Sequence, residues 1–215
     1  VAARFVNASA LKYRAKGVGV FTLVSLIVIL IAGWIVGLPP WFGSAVPSAG
    51  AFFGQVLPDG YTLFFNTLFF IAALAATILS LAYWDASMER GEYYILLLLA
   101  VIGMSLMASA HDLLIFFVGL ETMSISIYVL VGSERKNIHS NEAAIKYLLL
   151  GAFASAILLY GMALLYGMTG SIGYKDMALG VQNILLTGDA TSKLVLMIGI
   201  SLLLVGLFFK VAAVP

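Results

Sequence analysis

The sequence predicts an all-α membrane protein with about six transmembrane helices. Three observations lead there. Hydrophobic residues make up 63% of the chain and charged residues 10%, against about 25% charged in an ordinary soluble domain. Six apolar runs approach or exceed the roughly 20 residues a helix needs to cross a bilayer. Lysine and arginine crowd into alternate connections between those runs. The runs are continuously apolar rather than alternating, which excludes a β-barrel.

The first run, 18–38, follows a basic segment at 1–17 that holds Arg4, Lys12, Arg14 and Lys16. It is longer than the apolar core of a signal peptide, about 7–15 residues, so it is expected to stay as a span. The second run covers 61–83, reached through a Pro-, Gly- and Ser-containing connection at 39–60. The third, 93–110, is separated from the fourth, 112–131, by little more than His111 and Asp112. That pair predicts a tight hairpin at one membrane surface, with Asp112 placed to cap the following helix. The fifth run covers 142–167 and the sixth 194–214. Between them, Met177 to Leu186 is mildly apolar and is expected to lie along the surface. The domain layout is therefore an inner basic segment (1–17), two helices with their loops (18–92), and a four-helix unit (93–215).

Placing residues 1–17 inside also puts the loops 84–92 and 132–141 inside, with Arg90, Arg135 and Lys136. The outer loops keep only Lys175 and Lys193. The inner side is then cytoplasm, or the matrix or stroma of an organelle. Trp34, Trp41 and Trp84 fall near the interfaces, where an aromatic belt belongs. Net charge is +1 and no cysteine is present, so a nucleic-acid surface, disulfides, iron–sulfur ligation and thiolate metal sites are excluded. The two histidines, His111 and His139, lie at opposite surfaces, which argues against bis-histidine haem ligation. No phosphate loop, nucleophile–base arrangement or metal cluster is visible, so catalytic and metal-binding residues are both read as none.

Three ionisable residues remain inside spans: Glu121, Lys146 and Lys210. A charge at a helix centre costs about 2.5–3.5 kcal/mol on insertion scales. Burial penalises charge and a nearby opposite charge restores it. A glutamate and a lysine on adjacent helices can therefore trade between a paired, charged state and a neutral one, as a proton relay requires. Each has a plainer alternative. Glu121 could only pack helices, protonated and bonded to a Ser or Thr on a neighbouring helix, with Thr122, Ser124 and Ser126 close by on its own. Lys146, four residues or about 6 Å into its run, could snorkel to the inner surface, and so could Lys210. His111 and Asp112 read as a cap or as an outer uptake point for protons. In "GAFASAILLYGMALLYG", Gly151, Ser155, Gly161 and Gly167 are spaced as small residues that let helices approach closely.

"HDLLIFFVGLETMSISIYVLVG", "NEAAIKYLLLGAFASAILLYGMALLYGMTGS" and "GLFFKVAAVP", in that order, resemble the antiporter-like membrane subunits of NADH:quinone oxidoreductase (respiratory complex I), subunit N in particular. The likeness is strong over 93–215 and concerns mainly helix layout before that. It implies a fold of about fourteen helices with two inverted five-helix repeats, of which this chain would be an N-terminal fragment carrying an incomplete first repeat. It implies that Glu121 and Lys210 form a charged pair gating proton movement, with Lys146 near them and the helix of Lys210 interrupted close to Pro215. It further implies a non-redox subunit of a proton-translocating oxidoreductase, not catalytic alone. NADH, FMN, iron–sulfur clusters and quinone would reside in partner subunits, and this chain would sit among the other complex I membrane subunits, including sister antiporter-like subunits. The expected location is a bacterial inner membrane, with an organelle inner membrane or thylakoid as alternatives. Two rival readings are a subunit of an Mrp-type cation/proton antiporter and a structural membrane subunit without a transport role.

Overall fold

A computed structural model of the protein describes residues 17–35, 54–57, 59–83 and 91–213. The basic segment before Gly17, Trp41, Trp84, Arg90 and Pro215 lie outside the described residues.

Among the described residues there are seven helices: α1 (Gly17–Ile35), α2 (Gly60–Tyr83), α3 (Gly91–Ser109), α4 (Leu113–Val131), α5 (Ile138–Thr169), α6 (Tyr174–Thr187) and α7 (Ala190–Lys210). All but α6 are long and apolar enough to cross a membrane. They answer to the six predicted runs. The stretch expected at the surface is the amphipathic α6, which buries none of its residues.

Polar caps move the boundaries that hydropathy alone suggests. Asp112 accepts a hydrogen bond from the Ile115 amide at 2.7 Å and starts α4. Asn137 caps α5 through the amide of His139, so the helix begins four residues ahead of its apolar run. Asp189 does the same for α7 through Ser192. Capping side chains satisfy backbone donors that the first turn leaves free, which lets a polar turn precede an apolar run. The far end of α7 is closed differently. The amides of Ala212 and Ala213 bond back to Phe209 and Phe208, and Ala212 takes a left-handed φ of 53°. This is a Schellman closure with alanine where glycine is usual.

Close glycine contacts set the packing. Where α3 crosses α4, a side chain on Gly103 would meet the Met123 backbone at 2.5 Å, and one on Gly119 would meet the Gly103 carbonyl at 2.7 Å. The α5–α7 crossing is equally tight. Gly161 faces Leu203 and Gly199, while Gly206 faces Leu158 and Ala154. A core of Leu120, Leu158 and Met162, with Leu203 and Leu207 against it, joins α4, α5 and α7. A second core joins α1, α2 and α3 through Leu26, Ala73 and Val101. Beside it lies a cavity of about 600 Å³ with apolar walls. Asn66 and Ser105 on its lining each hold a buried oxygen without a partner among the described residues.

Candidate functional site

The α5–α7 register fixes the depth of the site. Gly206 lies beside Leu158 and Ala154, and Gly161 beside Leu203. Running antiparallel, α7 therefore brings Lys210 level with about residues 150–154, near the midpoint of the 32-residue α5. That is about 18–24 Å from the start of α5 by helix rise. That places Lys210 well inside the apolar length of α5, and the Schellman closure right after it ends α7 there.

The Lys210 ammonium reaches across to α4. It donates to Glu121 Oε1 at 3.3 Å, to Ser124 Oγ at 3.0 Å and to the Tyr128 hydroxyl at 3.1 Å. An ammonium has three N–H donors, and here each has one oxygen. Lys210 and Glu121 are 11% and 23% exposed at their side chains. From α5, Ser155 Oγ donates to the same Glu121 oxygen at 2.5 Å. Spacing explains the assembly on α4: Glu121, Ser124 and Tyr128 are three and seven residues apart and share one helix face. Ser124 Oγ donates its own proton to the Leu120 carbonyl at 2.7 Å, leaving its lone pairs for Lys210. Thr122 and Ser126 donate into the backbone of α4 and contribute no bond to Glu121.

Tyr128 is buried, with its ring edge-on to Tyr147 at 4.7 Å. Its hydroxyl occupies the space that a side chain at Gly151 would take. The four small residues of α5 thus do different things. Gly161 brings two helices together, Gly151 leaves a notch for a phenol, and Ser155 bonds the carboxylate. A side chain at Gly167 would meet nothing within 4 Å among the described residues.

Lys146 stands apart. Its ammonium bonds Glu142 one turn earlier, and the two side chains are 70% and 54% exposed. With 3.6 residues per turn, nine residues separate Lys146 from Ser155 by half a revolution, so the two point to opposite sides of α5. The lysine is eight residues beyond Ile138, the start of α5, and the structure does not join it to the Glu121–Lys210 pair.

The His111–Asp112 turn is pinned on both sides. The His111 amide bonds the Gln55 carbonyl, and the Leu113 amide bonds that of Ile172. Asp112 is buried and caps α4, while His111 is exposed, its ring near Tyr174. Burial, then the Asp112 carboxylate, push the Tyr174 phenol up to about 12 from 10.0. A raised folded value means that the stability this phenol contributes is intact below about 10 and is lost as pH climbs toward 12. Alkaline absorbance titration is expected to show a late-ionising tyrosine that disappears in Tyr174→Phe.

Sequence reasoning singled out Glu121 and Lys210 and named Ser124 as a hydroxyl near Glu121, but it did not foresee Ser124 or Tyr128 as partners of Lys210. The polar residues at 121, 124 and 128 were the available signal. Gly151 carried none, because a glycine that receives a side chain looks the same as one that receives a backbone.

Residues 110–215 match the transmembrane family described as NADH:quinone oxidoreductase/Mrp antiporter. NADH-quinone oxidoreductase subunit N of Trichlorobacter lovleyi is 42% identical over 202 residues, covering 94% of this chain and 40% of that protein. NADH-quinone oxidoreductase subunit N 1 of Chloroherpeton thalassium is 46% identical over 166 residues, 77% of this chain and 34% of that one. A chain in the structure of respiratory complex I from Thermus thermophilus with bound aureothin superposes with a TM-score of 0.67 at 32% identity, covering 95% of this chain and 41% of that chain. A chain of the membrane-bound sulfane sulfur reductase, an archaeal respiratory membrane complex, shares the fold, with a TM-score of 0.72 at 19% identity over 97% of this chain and 43% of that one. The chain spans about 40% of the length of the first of these curated relatives. It is an integral, multi-pass membrane protein.

Proposed function

Because residues 110–215 match the NADH:quinone oxidoreductase/Mrp antiporter transmembrane family, we propose that this chain is part of a proton-translocating membrane subunit of an NADH:quinone oxidoreductase. The observation that carries the reading is the Lys210–Glu121 pair, held between α4 and α7 at 3.3 Å, beside the middle of α5. Two unit charges about 4 Å apart at an effective dielectric of about 20 interact by about 4 kcal/mol. That is enough to hold the pair closed and small enough for a conformational change to open it. In this reading a proton arriving on Glu121 neutralises the carboxylate, releases Lys210 from the pair, and so passes a change of charge along the membrane. When the proton leaves, the pair closes again.

The chain itself performs no redox step. We assign NADH, FMN, iron–sulfur clusters and quinone to partner subunits, whose electron transfer would bias the pair through neighbouring membrane subunits. A bacterial inner membrane is the proposed location, in keeping with the named relatives. Within the pair, Glu121 carries the proton and Lys210 responds to it. Lys146, bonded to Glu142 on the opposite face of α5, would act on them only through other groups. An Mrp-type antiporter is the second reading, since the family description spans both. The relatives named above are subunits N, which favours the oxidoreductase.

The test is proton pumping by closed vesicles containing the full-length parent with Glu121→Gln, scored beside complex content and electron transfer. Glutamine keeps the size and most of the hydrogen bonding but carries no titratable proton. Pumping is expected to fall by about an order of magnitude or more in an assembled complex, within the range of losing one positioned proton-transfer group. Normal pumping with normal assembly would reduce Glu121 to a packing residue.

A further inference from the structure

We propose that Tyr128, seated in the notch left by Gly151, is a positioning residue that gives the Lys210 ammonium a second seat when Glu121 takes up a proton. The proposal rests on the relay reading above and adds to it a group that the ion pair alone does not require.

The three contacts of Lys210 are not equivalent. Glu121 can hold the ammonium strongly only while it is ionised. Ser155, on α5, donates to that same carboxylate oxygen and so serves the ionised form of Glu121. Ser124 and Tyr128 are neutral and face Lys210 whatever the state of Glu121, at 3.0 and 3.1 Å. Once Glu121 is protonated its carbonyl oxygen still accepts, but without the charge that held the ammonium, and Ser124 alone would be the other oxygen in reach. Buried donors without partners are costly, and more so when the donor is charged. Tyr128 supplies a further oxygen. Its ring adds an electron-rich face, with its centroid 5.7 Å from the ammonium nitrogen.

The surroundings of Tyr128 are shaped for this position. Its hydroxyl reaches Lys210 only by passing over Gly151, where a methyl group would overlap it. Tyr147, four residues before Gly151 and on the same face of α5, braces the ring from the side. A tyrosine that only filled space would need neither a glycine under its hydroxyl nor a cation beyond it. With the second seat present, opening the pair moves the ammonium between two oxygen partners inside the site and does not strand it in hydrocarbon.

Two variants of the full-length parent, in its assembled complex, test this from opposite sides. Tyr128→Phe keeps the ring and removes the hydroxyl. Gly151→Ala keeps the hydroxyl and forces it out of the notch. Both are expected to lower the rate of proton pumping about tenfold, the scale of one hydrogen bond to a charged group. A spectroscopic measurement separates positioning from packing. In complex carrying ring-deuterated tyrosine, the phenol C–O infrared band assigned to Tyr128 by its loss in Tyr128→Phe is expected to shift when Glu121→Gln removes the carboxylate. Normal pumping by Tyr128→Phe, or a band that stays in place in Glu121→Gln, would overturn the proposal. Normal pumping by Glu121→Gln itself would instead bring down the relay reading, and this inference with it.

Discussion

Replacing Lys210 with methionine in the full-length parent is expected to cost about 3 kcal/mol of stability, the low end of the penalty for removing one partner of a buried ion pair, because this pair is only partly buried. Methionine keeps the length of the side chain, but Glu121 is then left with Ser155 as its hydrogen-bond donor. Adding Glu121→Gln should restore most of that loss, because replacing both members of a buried pair removes the stranded charge. Glu121→Gln alone should be milder than Lys210→Met, since Ser124 and Tyr128 still accept from the ammonium. Thermal unfolding and the amount of assembled complex would show this order. Proton pumping should not follow it. All three variants are expected to pump poorly, because a repaired core has no titratable pair. A pair that only holds helices together predicts the opposite: the double variant would regain transport along with stability.

A methyl group at Gly161 is expected to destabilise the protein by about 1–3 kcal/mol, as overpacking of a tight contact does. Its Cβ would sit 2.6 Å from the Leu203 amide nitrogen and 2.8 Å from the Gly199 carbonyl oxygen. Both are backbone atoms of α7, so relief requires the helices to separate and no side chain can turn away. Because α7 ends in Lys210, that separation should also lengthen the contact with Glu121 and reduce pumping. Gly167→Ala is the matched comparison on the same helix. Nothing lies within 4 Å of its Cβ position among the described residues, so alanine there should be neutral or gain up to about 1 kcal/mol from helix propensity. Equal effects at the two positions would show that the α5–α7 contact is looser than the geometry indicates.

Chain sequence alone determined the helical membrane class, the six spans and their alternation, and the presence of Glu121 and Lys210 within them. These follow from quantities that add up along a chain: apolar length against bilayer thickness, and the placement of lysine and arginine between runs. It also marked Lys146 as a third charge in the same company as the first two. Tertiary structure decided which of the three meet. Half a revolution of α5 separates Lys146 from Ser155, and Glu142 is one turn from Lys146, so that lysine pairs within its own helix. The depth of Lys210 came from the register of α7 on α5, set by Gly161, Gly199 and Gly206. The oxygens around the ammonium came from the rotation of α4, and the place of Tyr128 from an empty position on α5. Hydropathy reports how long a helix stays in lipid, but neither its rotation nor its slide against a neighbour. Those two coordinates are fixed only when side chains and glycine backbones from different helices pack together.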